Sequence, residues 1–310
     1  MVLRSQVTLL LLLVVLFNRS FAQNDFRQQE DTLSKIQHVM YAAKTEAEKL
    51  QYFTLFNTIF QKTLSDPGSF GWPFDSLKEI SRIQTEDGSF KLITWDLPHS
   101  DGTYNYFGYV QWRNEKKHKY KLTVLADKSR DLKNPEGLLL DAQRWFGAVY
   151  YKIIAFKSGK RHYYALLGWQ GYDKLTNKKL IDVLSFDNDG GVKFGAEVFK
   201  WEKKSPKRLI FEYSSQVVMS LKFEPENQRI IFDHLSPPQS KLEGQYQYYG
   251  PDWSIDCVAL KKGKWFYISD IDARSKPTPK DNTYSDPKQK KKAYQRKNLY
   301  SPTAPPLPAH

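Results

Sequence analysis

The chain is poor in sulfur. Of 310 residues, one is cysteine, Cys257, and three are methionine. A single thiol excludes an intramolecular disulfide, so the fold must hold by core and sheet packing. Cys257 lies in Trp253-Ser-Ile-Asp-Cys-Val-Ala-Leu260. Strand alternation there puts Trp253, Ile255, Cys257 and Ala259 on one face. That setting predicts a buried structural thiol, because a reactive one needs basic, partly exposed surroundings. Long apolar runs are also scarce. The one candidate, Val7–Phe17, has 11 residues, against roughly 20 needed to span a bilayer. No Gly-x-Ser-x-Gly elbow is present. The histidines, among them His99, His118 and His162, have no metal-ligand spacing. No cofactor motif is present either, so neither a metal nor a cofactor is expected.

The short apolar run follows Arg4 and precedes Asn18-Arg19-Ser20-Phe21-Ala22. A basic start, an apolar middle and small residues at Ser20 and Ala22 predict a cleavable signal peptide over residues 1–22, cut after Ala22. The expected address is the periplasm or the outside of the cell, with no membrane span left after cleavage.

The formal charge of +13 is unevenly spread. The predicted signal peptide carries +2 and residues 274–310 carry +7, leaving +4 for residues 23–273. The body lacks the strong basic face that nucleic-acid binding requires, and no nucleic-acid partner is expected. From Ala273 the apolar residues thin out. Lys288-Gln-Lys-Lys-Lys292 and Ser301-Pro-Thr-Ala-Pro-Pro-Leu-Pro308 cannot bury enough surface to offset ordering. Residues 274–310 are read as a disordered, basic, Pro-rich tail able to contact anionic surfaces.

Residues 23–68 read as a helical segment. Leu33, Ile36, Met40 and Ala43 recur at helical steps. Thr45-Glu-Ala-Glu48 has the capping-box form. A second helix is expected to bury Leu50, Phe53, Phe56 or Leu55, Ile59, Phe60 and Leu64, and to stop at Ser65-Asp-Pro-Gly68. Residues 69–273 read as an antiparallel β domain. Short aromatic and β-branched runs alternate with turns such as Glu86-Asp-Gly-Ser89 and Asp187-Asn-Asp-Gly-Gly191. A short helix is expected around Leu138–Trp145, and strands at Val218–Phe223 and Trp265–Ile271. Ile80–Ala126 and Ala148–Phe199 each hold four predicted strands. The fold class is mainly β, an antiparallel meander with propeller-like, barrel or sandwich closure left open.

Several strings resemble a group of exported β-rich proteins of Bacteroidetes-type bacteria. They are Tyr164-Ala-Leu-Leu-Gly-Trp-Gln-Gly171, Lys179-Leu-Ile-Asp-Val-Leu-Ser-Phe186, Arg208-Leu-Ile-Phe-Glu-Tyr-Ser-Ser215, Ile231-Phe-Asp-His-Leu-Ser-Pro237 and Tyr248-Tyr-Gly-Pro-Asp252. The resemblance spans roughly residues 75–272 and implies export, but no activity.

Asp187-Asn-Asp-Gly-Gly191 begins like a calcium loop, but its twelfth position is Val198 where the helix-loop-helix site needs Glu. A hairpin turn is the expectation. Asp233, His234 and Ser236 are too close in one strand to form a triad, and His234 is expected to make a structural hydrogen bond. Glu212, Asp182, Asp233, Asp252 and Asp256 are carboxylates that a glycoside hydrolase could pair, as are Asp270 and Asp272, although those two are expected at a solvated strand end. Aromatic residues make up 15% of the chain. Trp169, Tyr172 and Asp173 in one string, and Tyr248, Asp252 and Trp253 in another, place flat rings beside carboxylates. Rings stack on sugar faces while acids take hydroxyls. The expected function is a non-enzymatic exported protein of the cell envelope that binds a ligand or partner, with a glycan as one ligand class. The alternative is a hydrolase using paired carboxylates.

Overall fold

The computed structural model describes residues 25–271. The predicted signal peptide and the basic tail lie outside the described residues.

Two helices lead. Helix α1 covers residues 25–42, and α2 runs Glu46–Ser65. Thr45 caps α2, its hydroxyl accepting from Glu48 N at 3.2 Å. That is the first half of the capping box. Glu46, at the first helical position, bonds through its carboxylate to His99 and Ser100. Asp66 ends the helix, and its side chain accepts from Gly68 N as a short 3-10 turn begins. Phe56, Phe60 and Leu64 are buried, whereas Leu50 and Leu55 are exposed. The apolar stripe is therefore narrower than expected. One layer covers it, so only positions three and four apart face inward.

Three sheets follow. The first is an antiparallel meander of β1 (Ser81–Gln84), β2 (Phe90–Pro98), β3 (Tyr104–Asn114) and β4 (Lys119–Ala126). The second runs β5 (Leu140–Asp141), β9 (Val192–Phe194), β8 (Thr176–Phe186), β7 (Arg161–Gly171), β6 (Val149–Ser158), with β11 (Leu209–Ser214) also paired to β8. The third is ordered β10 (Phe199–Lys200), β15 (Lys264–Ile268), β14 (Gly250–Lys261), β13 (Arg229–Ser236), β12 (Leu221–Glu224).

The helix expected at 138–145 is absent. The two-residue β5 and one 3-10 turn, Ala142–Arg144, stand there, with Asp141 accepting from Gln143 N. Two strands are shorter than expected. Val218 precedes β12 and is 84% exposed, and β15 ends at Ile268. The turn at 187–191 forms as expected, with Asp187 accepting from Asp189 N and Gly191 N.

The layers stack. Helices and first sheet share one core, with Leu33, Phe56 and Phe60 against Ile93, Trp95 and Tyr109. The other face of the first sheet, through Leu92, Val110 and Trp112, meets Tyr150, Leu166 and Leu180 of the second. The far face of the second sheet, through Ala165, Leu167, Ile181 and Val183, meets Ile230, Phe232, Val258 and Trp265 of the third. No barrel closes. The helices occupy the outer face of the first sheet, where a ring of blades would continue.

A sheet covered on both faces cannot alternate apolar with polar. Tyr164-Ala-Leu-Leu167 on β7 is buried on every residue. Asp182 of β8 is the exception in kind. It is fully buried with Arg208, whose Nε lies 3.2 Å from Asp182 Oδ1. Tyr150 Oη donates to the other carboxylate oxygen at 3.3 Å. Arg208 also donates to the carbonyls of Pro135 and Leu138, so this buried pair ties the irregular 135–138 loop to the middle sheet.

Candidate functional site

Three turns meet at one end of the stack. The first joins β7 to β8. Tyr172 N and Asp173 N both donate to Thr176 O, and Asp173 Oδ1 accepts from Leu175 N and Thr176 N at 2.8 Å each. Such a doubly anchored Asx turn holds its tip rigidly. The second turn follows β11. Ser215 N donates to Leu175 O, and Ser215 Oγ to Lys174 O. The third lies between β13 and β14, where Tyr249 O accepts from Ser214 N at 2.9 Å. The segment 214–218 thus bridges the other two turns, and with them the two aromatic strings.

These turns expose what a fold normally hides. Tyr172, Leu175, Val217, Val218, Tyr246, Tyr248 and Trp253 are all exposed. Lone exposed apolar residues are ordinary, but a run of them over adjoining turns makes this end a candidate site. Polar groups sit among the rings. Lys178 Nζ lies 3.4 Å from the centroid of the Tyr172 ring and 3.3 Å from Glu212. Thr176 Oγ1 donates to Glu212 at 2.8 Å. Trp169 lies deeper and is half-buried, meeting the Tyr104 ring edge-on at 5.8 Å.

Trp253 is the outlier. It is 98% exposed, with φ of +76°. Its expected place on the Cys257 face fails because β14 bulges. Asp233 pairs with Ile255 and Leu235 with Pro251, leaving Asp252, Trp253 and Ser254 opposite His234 alone. A bulge breaks the two-residue alternation and re-aims a side chain. Asp252 fixes its shape by accepting from Ser254 N (3.2 Å) and Ser254 Oγ (2.7 Å). Burial pushes the Asp252 carboxyl up, but bonds from Ser254 and Ser236 hold it below the ordinary carboxylate range. Cys257 itself is buried, as expected, and its thiol is pushed up by burial.

His234 stands beside the bulge. Its Nδ1 is 2.8 Å from Asp256 Oδ2, and its Nε2 faces Asp252 at 3.9 Å. Asp256 is buried and also accepts from Tyr267 Oη (2.8 Å) and Asp270 N (2.9 Å). Burial and the Asp256 charge raise the Tyr267 phenol well above its usual value. The expected structural hydrogen bond of His234 is therefore made, and across strands. Sequence reasoning missed this group because its members come from β13, β14 and β15. The Asp252 to Asp256 spacing was visible, but their shared partner was not. It also missed Val217 and Val218, whose β-branching reads as a strand start.

The other carboxylates considered for hydrolysis are engaged within the fold. Asp182 holds Arg208, Glu212 holds Lys178 and Thr176, and Asp233 accepts from Ser220 N at 2.7 Å. Asp270 lies beyond the end of β15, and Asp272 is outside the described residues. Among the described residues no cluster of metal-ligating side chains occurs, and no helix is long and apolar enough to cross a membrane.

Comparison with known proteins returns no match: no family model, no curated protein and no solved structure is similar to this chain.

Proposed function

We propose that this is an exported protein of the cell envelope that binds a ligand or partner at the aromatic end of its sheet stack, with a glycan as the ligand class. One observation carries the reading. Trp253 is fully exposed in a left-handed backbone conformation that costs a non-glycine residue about 1–2 kcal/mol. Nothing in the fold's own packing gains from it. Strain held at an exposed aromatic residue points to a use outside the fold. Tyr172, Tyr248 and Trp253 supply flat faces, and Asp252 beside Trp253 supplies an acceptor for hydroxyl groups. Asp173 contributes by holding the first turn.

Export rests on the composition of residues 1–22, and the basic tail would add salt-sensitive attraction to an anionic envelope surface. Hydrolysis finds less support, because Asp182, Glu212, Asp233 and Asp256, with which Asp252 would pair, are already engaged within the fold. A glycan array and a turnover screen on residues 23–273 test the proposal. Binding without turnover is expected. Trp253→Ala should weaken it at least about tenfold, the loss of one stacking contact, with the thermal midpoint unchanged. Binding that ignores Trp253, or no binding to any glycan, would sink the reading.

A further inference from the structure

The side of the stack flanked by β1, β6 and β12 is built differently from the aromatic end. These are the edge strands of the three sheets, and they line one cleft of about 750 Å³. Edge strands carry unpaired backbone N–H and C=O groups and are normally covered or blunted. Two other strands are tied down at their last residue. Trp145 N donates to Ala126 O at the end of β4, and Tyr249 O accepts from Ser214 N at the end of β11.

At β6 the cover stops short. Ser81 Oγ donates to Tyr150 O, and Tyr150 N donates to Thr94 Oγ1. Tyr151 is an extra, bulged residue, and its hydroxyl reaches Leu221 O of β12 at 2.9 Å. Beyond it, Lys152–Ala155 pairs only with β7, and its outer edge faces the cleft. Among the described residues, no backbone group of Lys152–Ala155 bonds outside that ladder.

The cleft walls match the pleat of a strand. Ile83 and Ile153 pack on the core beneath the first sheet, and Phe223 and Ile154 on the core above the third. Alternate side chains of an added strand would meet these two walls in turn. Charge is also divided along the cleft. Exposed Lys152 marks one end, while exposed Glu86 and Asp87 mark the other. Arg82, also in the lining, is already committed to the carbonyls of Leu77 and Ile80.

We infer that this cleft binds an extended peptide segment of another protein, added as a strand to the free edge of β6, with an acidic residue toward Lys152 and a basic one toward Glu86 and Asp87. Main-chain bonds would supply affinity, and the alternating walls and end charges would select the sequence. It is independent of the proposed glycan site, which lies on other turns.

The test uses the full chain and a displayed library of nine-residue peptides. Each carries Glu near one end, Lys near the other and varied residues between. Selected peptides should slow amide exchange across 152–155 at least about tenfold. Lys152→Glu, at an exposed position, should weaken them at least about tenfold and favour peptides carrying Lys near both ends. Absence of any selected peptide, or protection elsewhere with 152–155 unchanged, would overturn the inference. Dimerisation abolished by Lys152→Glu would also overturn it, since the occupant would then be a second copy.

Discussion

Two buried charges show how single residues set stability here. Arg208 and Asp182 are completely enclosed, so removing one partner strands the other in a low dielectric. Arg208→Ala should cost about 3–5 kcal/mol, read from urea unfolding. The double change Arg208→Met with Asp182→Leu should cost clearly less, because it leaves no unpaired charge. Equal losses would mean that the tie to the 135–138 loop, not the ion pair, dominates. Asp96 behaves in the opposite sense. Burial, with Glu79 adding repulsion, pushes its carboxyl from 3.8 up to about 6. The folded chain therefore binds the proton more tightly than the unfolded one between about pH 4 and 6. Stability contributed by the protonated form is lost as pH rises through that window. Asp96→Asn should flatten the slope and raise stability at pH 7 by about 1–3 kcal/mol. Urea midpoints at pH 4, 5, 6 and 7 check this, and an unchanged slope would reject it.

At the scale of elements, the β14 bulge separates shape from use. Glycine adopts positive φ without the Cβ clash. Trp253→Gly should therefore stabilise the fold by about 1 kcal/mol while abolishing ligand binding. A marked loss of stability would show that the indole packs in the fold after all. The bulge also marks where sequence stops being readable. The alternating positions Ile255, Cys257 and Ala259 were legible as one strand face. Two extra residues in the bulge take Trp253 off that face, and no local signal announces it, because bulges depend on the partner strand. The helix expected near Leu138 failed for a related reason. Leu138–Trp145 is apolar in patches, but its partners are the carbonyl-to-Arg208 bonds and the strand β9, both distant in sequence. By contrast, the Thr45 cap, the Asp87-Gly88 turn and the strands of the first sheet depend on neighbours and were legible. The two aromatic strings were readable as loop-flanking residues. Their meeting across 214–218 required the fold.

The whole molecule is a stack in which every sheet is a nearly local meander, while every core lies between successive layers. The middle sheet has no solvent face of its own and depends on both neighbours. A fragment covering residues 23–215 keeps the helices, the first two sheets and β10, and lacks β12 to β15. It should form a compact but looser species that binds a hydrophobic dye through its bare Ala165, Leu167, Ile181 and Val183 face. A dye-silent, fully cooperative fragment would contradict the layered dependence. Apart from β10, which precedes β11 in the chain but pairs with β15 of the third sheet, the order of layers follows the order of the chain, so short-range pairing can close most of each layer before the next arrives. Refolding is then expected to advance from the amino-terminal layer outward. The sheet that docks last carries Trp253, and the binding end is complete only when the final layer has closed.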